Sequence, residues 1–130
     1  MEENKLTKIL IIDDDKFLLD MYVLKFKKAG LAIESSASSK LALEKLRSGE
    51  EFDIILLDII MPGMDGLELL KIIRDENLAK NSVMIMLTNQ PDDFEKAKTF
   101  GIDGYIIKAT TVPSEVVDQV LLIYRNKRKI

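Results

Sequence analysis

The chain has 130 residues, 47% hydrophobic and 32% charged, with a formal net charge of −3. This length suits one domain with a hydrophobic core and is too short for two. We expect a single domain over residues 1–130, with an ordered core over about 7–125 and a basic tail or the start of a linker over 126–130. The charge balance offers no case for nucleic acid binding.

The sequence contains no histidine and no cysteine. Imidazole catalysis, most zinc sites and disulfides are therefore excluded, and chemistry must come from carboxylates, hydroxyls, amines and a metal. The N-terminal residues lack the pattern of a signal peptide, and no apolar run approaches the roughly 20 residues that span a membrane. We expect a cytoplasmic protein.

The first half of the chain alternates strand and helix patterns. An apolar run predicts a strand over Lys8–Ile12, and helical spacing of apolar residues begins at Lys16. A short strand near Leu31–Ser35 and an amphipathic helix over about Ser39–Arg47 follow. A continuous apolar run then predicts that the strand Ile54–Asp58 is buried on both faces.

The second half repeats the alternation. A capping-box pattern at Asp65 opens a helix, and Val83–Leu87 reads as another buried strand. A helix is predicted near Pro91, a strand over Gly104–Ile107 and a last helix from Pro113. Strands and helices in strict alternation predict an α/β fold, in which a parallel sheet is covered on both faces by right-handed connections.

Polar side chains follow the predicted strands at the points where the strands end. They are Asp13, Asp14 and Asp15 after the first strand, Asp58 after the third, Thr88 after the fourth and Lys108 after the fifth. Parallel strands end along one edge of a sheet, where open α/β sheets bind ligands. If the first and third strands are neighbours, their carboxylates converge on one divalent cation, and Mg²⁺ would relieve their repulsion.

A carboxylate in this position can also act as a nucleophile toward phosphorus. The transferred phosphoryl group would need positioned cations and donors, which Mg²⁺, the Lys108 ammonium and the Thr88 hydroxyl would supply. Asp15 is better explained as a helix cap.

Five placed motifs together resemble a response-regulator receiver domain of two-component signalling, in the CheY-like superfamily. They are Ile11-Ile12-Asp13-Asp14, Leu57-Asp58 followed by Met61-Pro62-Gly63-Met64-Asp65-Gly66, Leu87-Thr88, Gly104-Tyr105 and Ile107-Lys108. The resemblance covers essentially the whole chain. It implies a flavodoxin-like, doubly wound sheet of five parallel strands in the order 2-1-3-4-5, with five helices on both faces.

The resemblance also implies roles for site residues. Asp58 would accept a phosphoryl group from a partner histidine kinase or histidine phosphotransfer protein, with Thr88 and Lys108 contacting that group. The Mg²⁺ ion, with Mn²⁺ as a substitute, would be held by Asp14 directly, Asp13 largely through water, Asp58 and the carbonyl of Ile60. The domain would catalyse only its own phosphorylation and dephosphorylation, and so is not an enzyme in the ordinary sense.

The same resemblance assigns a switch to Thr88 and Tyr105. The threonine hydroxyl would move toward the phosphoryl oxygens, and the tyrosine ring would turn inward into the space that it leaves. The face made by the fourth helix, fifth strand and fifth helix, about 91–127, would then bind a downstream protein or a fused output domain. The domain would be a monomer or a phosphorylation-dependent homodimer that contacts neither nucleic acid nor membrane directly.

Three positions depart from the family pattern. Asn89 stands where a small residue is common, and would narrow access to the phosphoryl site or form a hydrogen bond within it. Ala109 stands where the family usually has a proline in a cis peptide bond, so either the loop is trans and Lys108 is aimed differently, or the strain of a cis bond is tolerated. Ile60 is apolar where a polar side chain often lies, and would exclude hydrolytic water.

Three alternatives follow from these features. A pseudo-receiver would keep the fold as a protein-interaction module that works without phosphorylation. A Mg²⁺-dependent phosphatase would need an acid at the position of Ile60. A flavin-binding protein would need a phosphate loop where the chain has three aspartates, which would repel the phosphate.

Overall fold

Strands and helices alternate through residues 6–128, the part of the chain that this computed structural model describes. The strands are β1 (Lys8–Ile12), β2 (Ala32–Ser36), β3 (Ile54–Leu57), β4 (Val83–Thr88) and β5 (Gly104–Ile107). The helices are α1 (Lys16–Lys28), α2 (Ser39–Arg47), α3 (Gly66–Asp75), α4 (Phe94–Phe100) and α5 (Pro113–Arg128). Two 3₁₀ turns, Pro91–Asp93 and Lys108–Thr110, precede α4 and α5.

The five strands form one parallel sheet in the order β2-β1-β3-β4-β5, which confirms the predicted topology. The last residue of β1, Ile12, lies beside Leu57, the last residue of β3. On the other side of the sheet, Thr88 at the end of β4 lies beside Ile107 at the end of β5. Residues that follow these four strands are therefore neighbours at one edge.

Alternate residues of the central strands enter two separate cores. Ile55 and Leu57 of β3 pack in a cluster with side chains of α2, α3 and α4, whereas Ile54 and Leu56 pack with α1 and α5. All four residues of β3 are buried, as the continuous apolar run predicts. The sheet is thus covered on both faces, and its carboxyl edge remains available for a site.

Capping residues fix where the first and third helices begin. The side chain of Asp15 accepts a hydrogen bond from the Leu18 amide at 3.1 Å, which confirms its predicted role as a cap. Asp65 and Glu68 form both hydrogen bonds of a capping box at the start of α3.

The strands β2, β3 and β4 differ from their predicted bounds by one residue, and two helix boundaries differ by more. The segment predicted as helical from Pro91 begins with a 3₁₀ turn, and α4 starts only at Phe94. Residues 126–128, which we expected in a tail, form the last turn of α5, while 129–130 lie outside the described residues. None of the helices over 6–128 is long and apolar enough to cross a membrane.

Gly66 allows α3 to begin against the end of β3. Its amide donates to the carbonyl of Ile59 at 2.7 Å, and a Cβ atom here would collide with the main-chain carbonyl of Asp58. We therefore expect Gly66→Ala to lower the free energy of unfolding by about 3 kcal/mol. Urea denaturation measures this loss.

Gly49→Ala is the matched control, because a Cβ atom there meets open space and adds only the strain of a positive φ of 94°. That strain costs about 1–2 kcal/mol. Equal losses in the two variants would contradict the packing argument for Gly66.

Candidate functional site

The carboxyl edge of the sheet brings together Asp13, Asp58 and Lys108. The Lys108 ammonium lies 2.6 Å from an oxygen of Asp13 and 3.3 Å from an oxygen of Asp58. The side chains of Lys108, Asp13 and Asp58 are only 9%, 2% and 8% exposed. No peptide bond within 6–128 is cis, so the loop at Ala109 is trans, and Lys108 reaches both acids from it.

Each buried aspartate divides its two oxygens between the main chain and the lysine. Asp58 Oδ1 accepts from the amide of Ile59 at 2.8 Å, and Asp13 Oδ1 accepts from the amide of Asp15 at 2.9 Å. The other oxygen of each carboxylate faces Lys108. The main-chain bonds orient both side chains, and Asp58 keeps one oxygen directed into the site.

Three carboxylates form an acidic cluster: Asp13, Asp14 and Asp58. Each offers an oxygen, and these oxygens all lie within 4.8 Å of one another. Asp13 and Asp58 are buried, whereas Asp14 is exposed at the mouth of the site. Carboxylate oxygens are the ligands that a hard divalent cation such as Mg²⁺ prefers, and the solvent at Asp14 would let the ion keep some of its bound water.

Burial is the main cause that raises the pKa of the Asp58 carboxyl above its usual value. The charge of Asp13 adds to this rise, while the Lys108 ammonium and the Thr88 hydroxyl oppose it without cancelling it. Burial also acts to lower the pKa of Lys108, but its hydrogen bonds and charge interactions with the two aspartates outweigh burial and raise it. Lys108 is therefore a permanent cation at neutral pH, and ionised Asp58 costs folding free energy.

This cost predicts a pH-dependent effect of Asp58→Asn in metal-free buffer. Because the pKa of Asp58 is higher in the folded than in the unfolded state, protonated Asp58 contributes to the free energy of unfolding. The wild type loses this stabilisation as pH rises through the folded-state pKa and Asp58 ionises. We expect the variant to melt at a higher temperature at pH 7, with an advantage that shrinks as pH falls.

Thermal melts between acid and neutral pH in EDTA measure this difference. Asp20→Asn is the control, because Asp20 is exposed on α1. An advantage of Asp58→Asn that stays constant with pH would contradict the assignment of the raised pKa.

Thr88 and Tyr105 both contact Gln90, a residue that the sequence did not single out. The fully buried Thr88 hydroxyl accepts from the Gln90 amide at 3.3 Å, and the Tyr105 hydroxyl donates to the Gln90 carbonyl. The rings of Tyr105 and Phe94 pack in a T-shaped arrangement, with 5.4 Å between centroids. Burial, with Asp92 and Asp93 nearby, raises the pKa of Tyr105 to about 12.

The three departing positions have distinct surroundings. Ile60, in the loop after Asp58, is 59% exposed, and its exclusion of hydrolytic water stays a prediction. Asn89 Oδ1 accepts from the amide of Ala109 at 2.7 Å, which joins the loops after β4 and β5. The sequence marks both residues as unusual, but their contact is visible only once the two loops are placed side by side.

A doubly wound α/β domain with three aspartates and a lysine at the carboxyl edge of its sheet defines a CheY-like receiver domain. The response regulator receiver domain family matches residues 9–120. The chain belongs to this family, and it is a receiver domain of the kind found in two-component response regulators.

Relatives and solved structures agree with this membership. The chain is 32% identical to the transcriptional regulatory protein ResD of Bacillus subtilis over 127 residues, which cover 96% of this chain and 51% of ResD. It is 33% identical to the regulatory protein VanR of Enterococcus faecium over 124 residues, covering 94% of this chain and 52% of VanR. The chain thus spans about half the length of the curated relatives it matches.

Two solved receiver structures have similar folds. A CheY-like receiver domain protein from Methanospirillum hungatei superposes with a TM-score of 0.85 at 28% identity, covering 96% of this chain and 98% of the other. The response regulator TrrA of Thermotoga maritima, solved in complex with Mg²⁺-BeF, gives a TM-score of 0.78 at 27% identity, covering 91% of this chain and 99% of TrrA.

Proposed function

We propose that this domain accepts a phosphoryl group on Asp58 from the phosphohistidine of a partner histidine kinase or histidine phosphotransfer protein. The observation that carries the proposal is the carboxylate of Asp58, buried at the sheet edge with one oxygen facing Lys108. That oxygen attacks phosphorus, the phosphorus–nitrogen bond of the donor breaks, and its electron pair stays on the imidazole nitrogen.

The side chains around Asp58 suit this transfer. The Lys108 ammonium lies 3.3 Å from Asp58 and can pair with an oxygen of the incoming phosphoryl group. Asp13, Asp14, Asp58 and the carbonyl of Ile60 would hold Mg²⁺, and Mn²⁺ in its place. When bound, the ion neutralises negative charge on the transferring group.

The proposed switch begins at Thr88 and ends at the surface of α4, β5 and α5. Phosphorylation would draw the Thr88 hydroxyl away from the Gln90 amide that it contacts in the structure. The Tyr105 hydroxyl donates a hydrogen bond to the Gln90 carbonyl, and the Tyr105 ring packs on Phe94. A movement of Gln90 would therefore also change the surroundings of Tyr105. Phe94 and Leu122 are exposed large apolar side chains on this surface, which would bind a target protein or output domain.

Three further properties belong to the same proposal. The domain catalyses only its own phosphorylation and dephosphorylation, and it works in the cytoplasm. It is a monomer, or a homodimer once phosphorylated. A phosphorylation-independent interaction module is less well supported, because Ala109 does not displace Lys108 from the acids.

Beryllofluoride with Mg²⁺ tests the proposal without a kinase, since it mimics a bound phosphoryl group. We expect amide NMR signals of Thr88, Gln90 and Tyr105 to shift only when Mg²⁺ and beryllofluoride are both present. Asp58→Asn should remove the response. Unchanged spectra in the wild type, or equal shifts in the variant, would contradict the proposal.

A further inference from the structure

The side chain of Asn89 links the two loops that carry Thr88 and Lys108. Asn89 directly follows Thr88, and Ala109 directly follows Lys108. The Asn89 Oδ1 atom accepts a hydrogen bond from the Ala109 amide at 2.7 Å, across 20 residues of sequence. The contact therefore joins two loops that meet only because β4 and β5 are neighbours.

This contact continues the sheet beyond its last backbone pair. Thr88 and Ile107 are the last paired residues of β4 and β5. Beyond this pair, the Asn89 side chain, one residue after Thr88, accepts from the amide of Ala109, two residues after Ile107. The 3₁₀ turn Lys108–Thr110 is thereby attached to the loop that follows β4.

The other hydrogen bonds of this turn are longer. The Thr111 amide donates to the Lys108 carbonyl at 3.3 Å, and the Thr110 hydroxyl donates to the Ile107 carbonyl at 3.4 Å. Both distances lie at or beyond the long end of the usual range, whereas 2.7 Å lies at its short end. Among these three hydrogen bonds of the turn, the one to Asn89 is the shortest, and it is the one that ties the turn to the loop after β4.

The direction of the Lys108 side chain depends on this backbone. A lysine has a flexible four-carbon stem, so the position of its ammonium is set by where the stem begins and by its partners. Here the ammonium must reach Asp13 at 2.6 Å and Asp58 at 3.3 Å together. A small shift of the turn would change both distances.

We propose that Asn89 is a positioning residue for Lys108, acting through the amide of Ala109. The bond needs an N–H group at position 109, which a proline could not donate. Asn89 and Ala109, which both depart from the family pattern, are thus the acceptor and the donor of one hydrogen bond. The effect on phosphorylation rests on the proposed function of Asp58, whereas the effect on Lys108 does not.

Three substitutions of Asn89 separate its hydrogen bond from its size. Asn89→Ala removes the acceptor and the bulk, Asn89→Leu removes the acceptor and keeps similar bulk, and Asn89→Asp keeps an oxygen acceptor. Asn89 is exposed, so each variant should still fold cooperatively. Gln90→Ala is a neighbouring control, because Gln90 contacts Thr88 and Tyr105 through its main-chain atoms and the substitution leaves the Asn89 side chain in place.

Two readouts do not involve phosphorylation. We expect exchange of the Ala109 amide hydrogen to accelerate roughly tenfold in Asn89→Ala and Asn89→Leu, as loss of one good hydrogen bond implies. ¹³C relaxation at Cε of Lys108 should show greater mobility in the same two variants. Asn89→Asp and Gln90→Ala should resemble the wild type.

The third readout is the rate of phosphorylation by a small acyl phosphate. The Ala and Leu variants should both be roughly tenfold slower at saturating Mg²⁺, with unchanged half-saturating Mg²⁺. A wild-type rate in Asn89→Leu with a faster rate in Asn89→Ala would show that Asn89 acts by its bulk, and would overturn the proposal. An unprotected Ala109 amide in the wild type, or an unchanged Lys108 mobility in both variants, would also overturn it. If the amide and lysine respond as expected but the wild type is not phosphorylated, the proposed function fails and the positioning role stands.

Discussion

Asp58→Asn is expected to gain no phosphoryl group on incubation with Mg²⁺ and a small acyl phosphate, whereas the wild type gains one. The amide cannot act as the nucleophile, although it fills the same space and can still accept from the Ile59 amide. Intact-protein mass spectrometry under conditions that preserve acyl phosphates measures the difference.

Asp53→Asn is the matched control for this experiment. Asp53 lies just before β3, at the opposite edge of the sheet from Asp58, and accepts a hydrogen bond from the Lys8 amide at 2.8 Å. An asparagine can keep that bond, so this variant should be phosphorylated like the wild type. Phosphoryl addition that persists in Asp58→Asn would contradict Asp58 as the acceptor.

Lys108→Met should lower the free energy of unfolding in metal-free buffer by roughly 3 kcal/mol. The substitution leaves Asp13 and Asp58 buried beside each other without their cation. We take the lower end of the cost for breaking a buried ion pair, because Asp14 at the mouth of the site is exposed. Urea denaturation in EDTA measures the loss.

Mg²⁺ should recover part of this loss, since an ion bound to the acidic cluster replaces the missing positive charge. Lys71→Met is the control, because Lys71 forms an exposed pair with Asp75 that is worth about 0.5 kcal/mol at most. Adding Asp58→Asn to Lys108→Met should also restore stability. Similar losses for Lys71→Met and Lys108→Met would contradict the role of Lys108 as counterion to buried acids.

The sheet and the acidic cluster are predictable from the sequence because they depend on simple patterns. A continuous apolar run such as Ile54–Leu57 indicates a strand buried on both faces, and parallel strands place their following residues at one edge. The approach of Asp13, Asp58 and Lys108 follows from that topology together with the strand order implied by the family resemblance.

Contacts between loops are not predictable in this way. The bonds of Gln90 to Thr88 and Tyr105, and of Asn89 to Ala109, depend on turn conformation and on side-chain rotamers. Neither turn conformation nor rotamer choice produces a periodic pattern of residues that could be recognised in the sequence. The start of α4 is not predictable for a similar reason, because a proline at the first position does not distinguish a 3₁₀ turn from an α-helix.

The most direct test of the account is to map the phosphoryl group in the wild-type chain. After incubation with Mg²⁺ and an acyl phosphate, borohydride reduces an aspartyl phosphate to homoserine, which peptide sequencing by mass spectrometry can locate. We expect homoserine at position 58 and unmodified aspartate at Asp53 and Asp65, which precede and follow it in the sequence. Homoserine at another position, or none at all, would contradict the assignment of Asp58 as the phosphoacceptor.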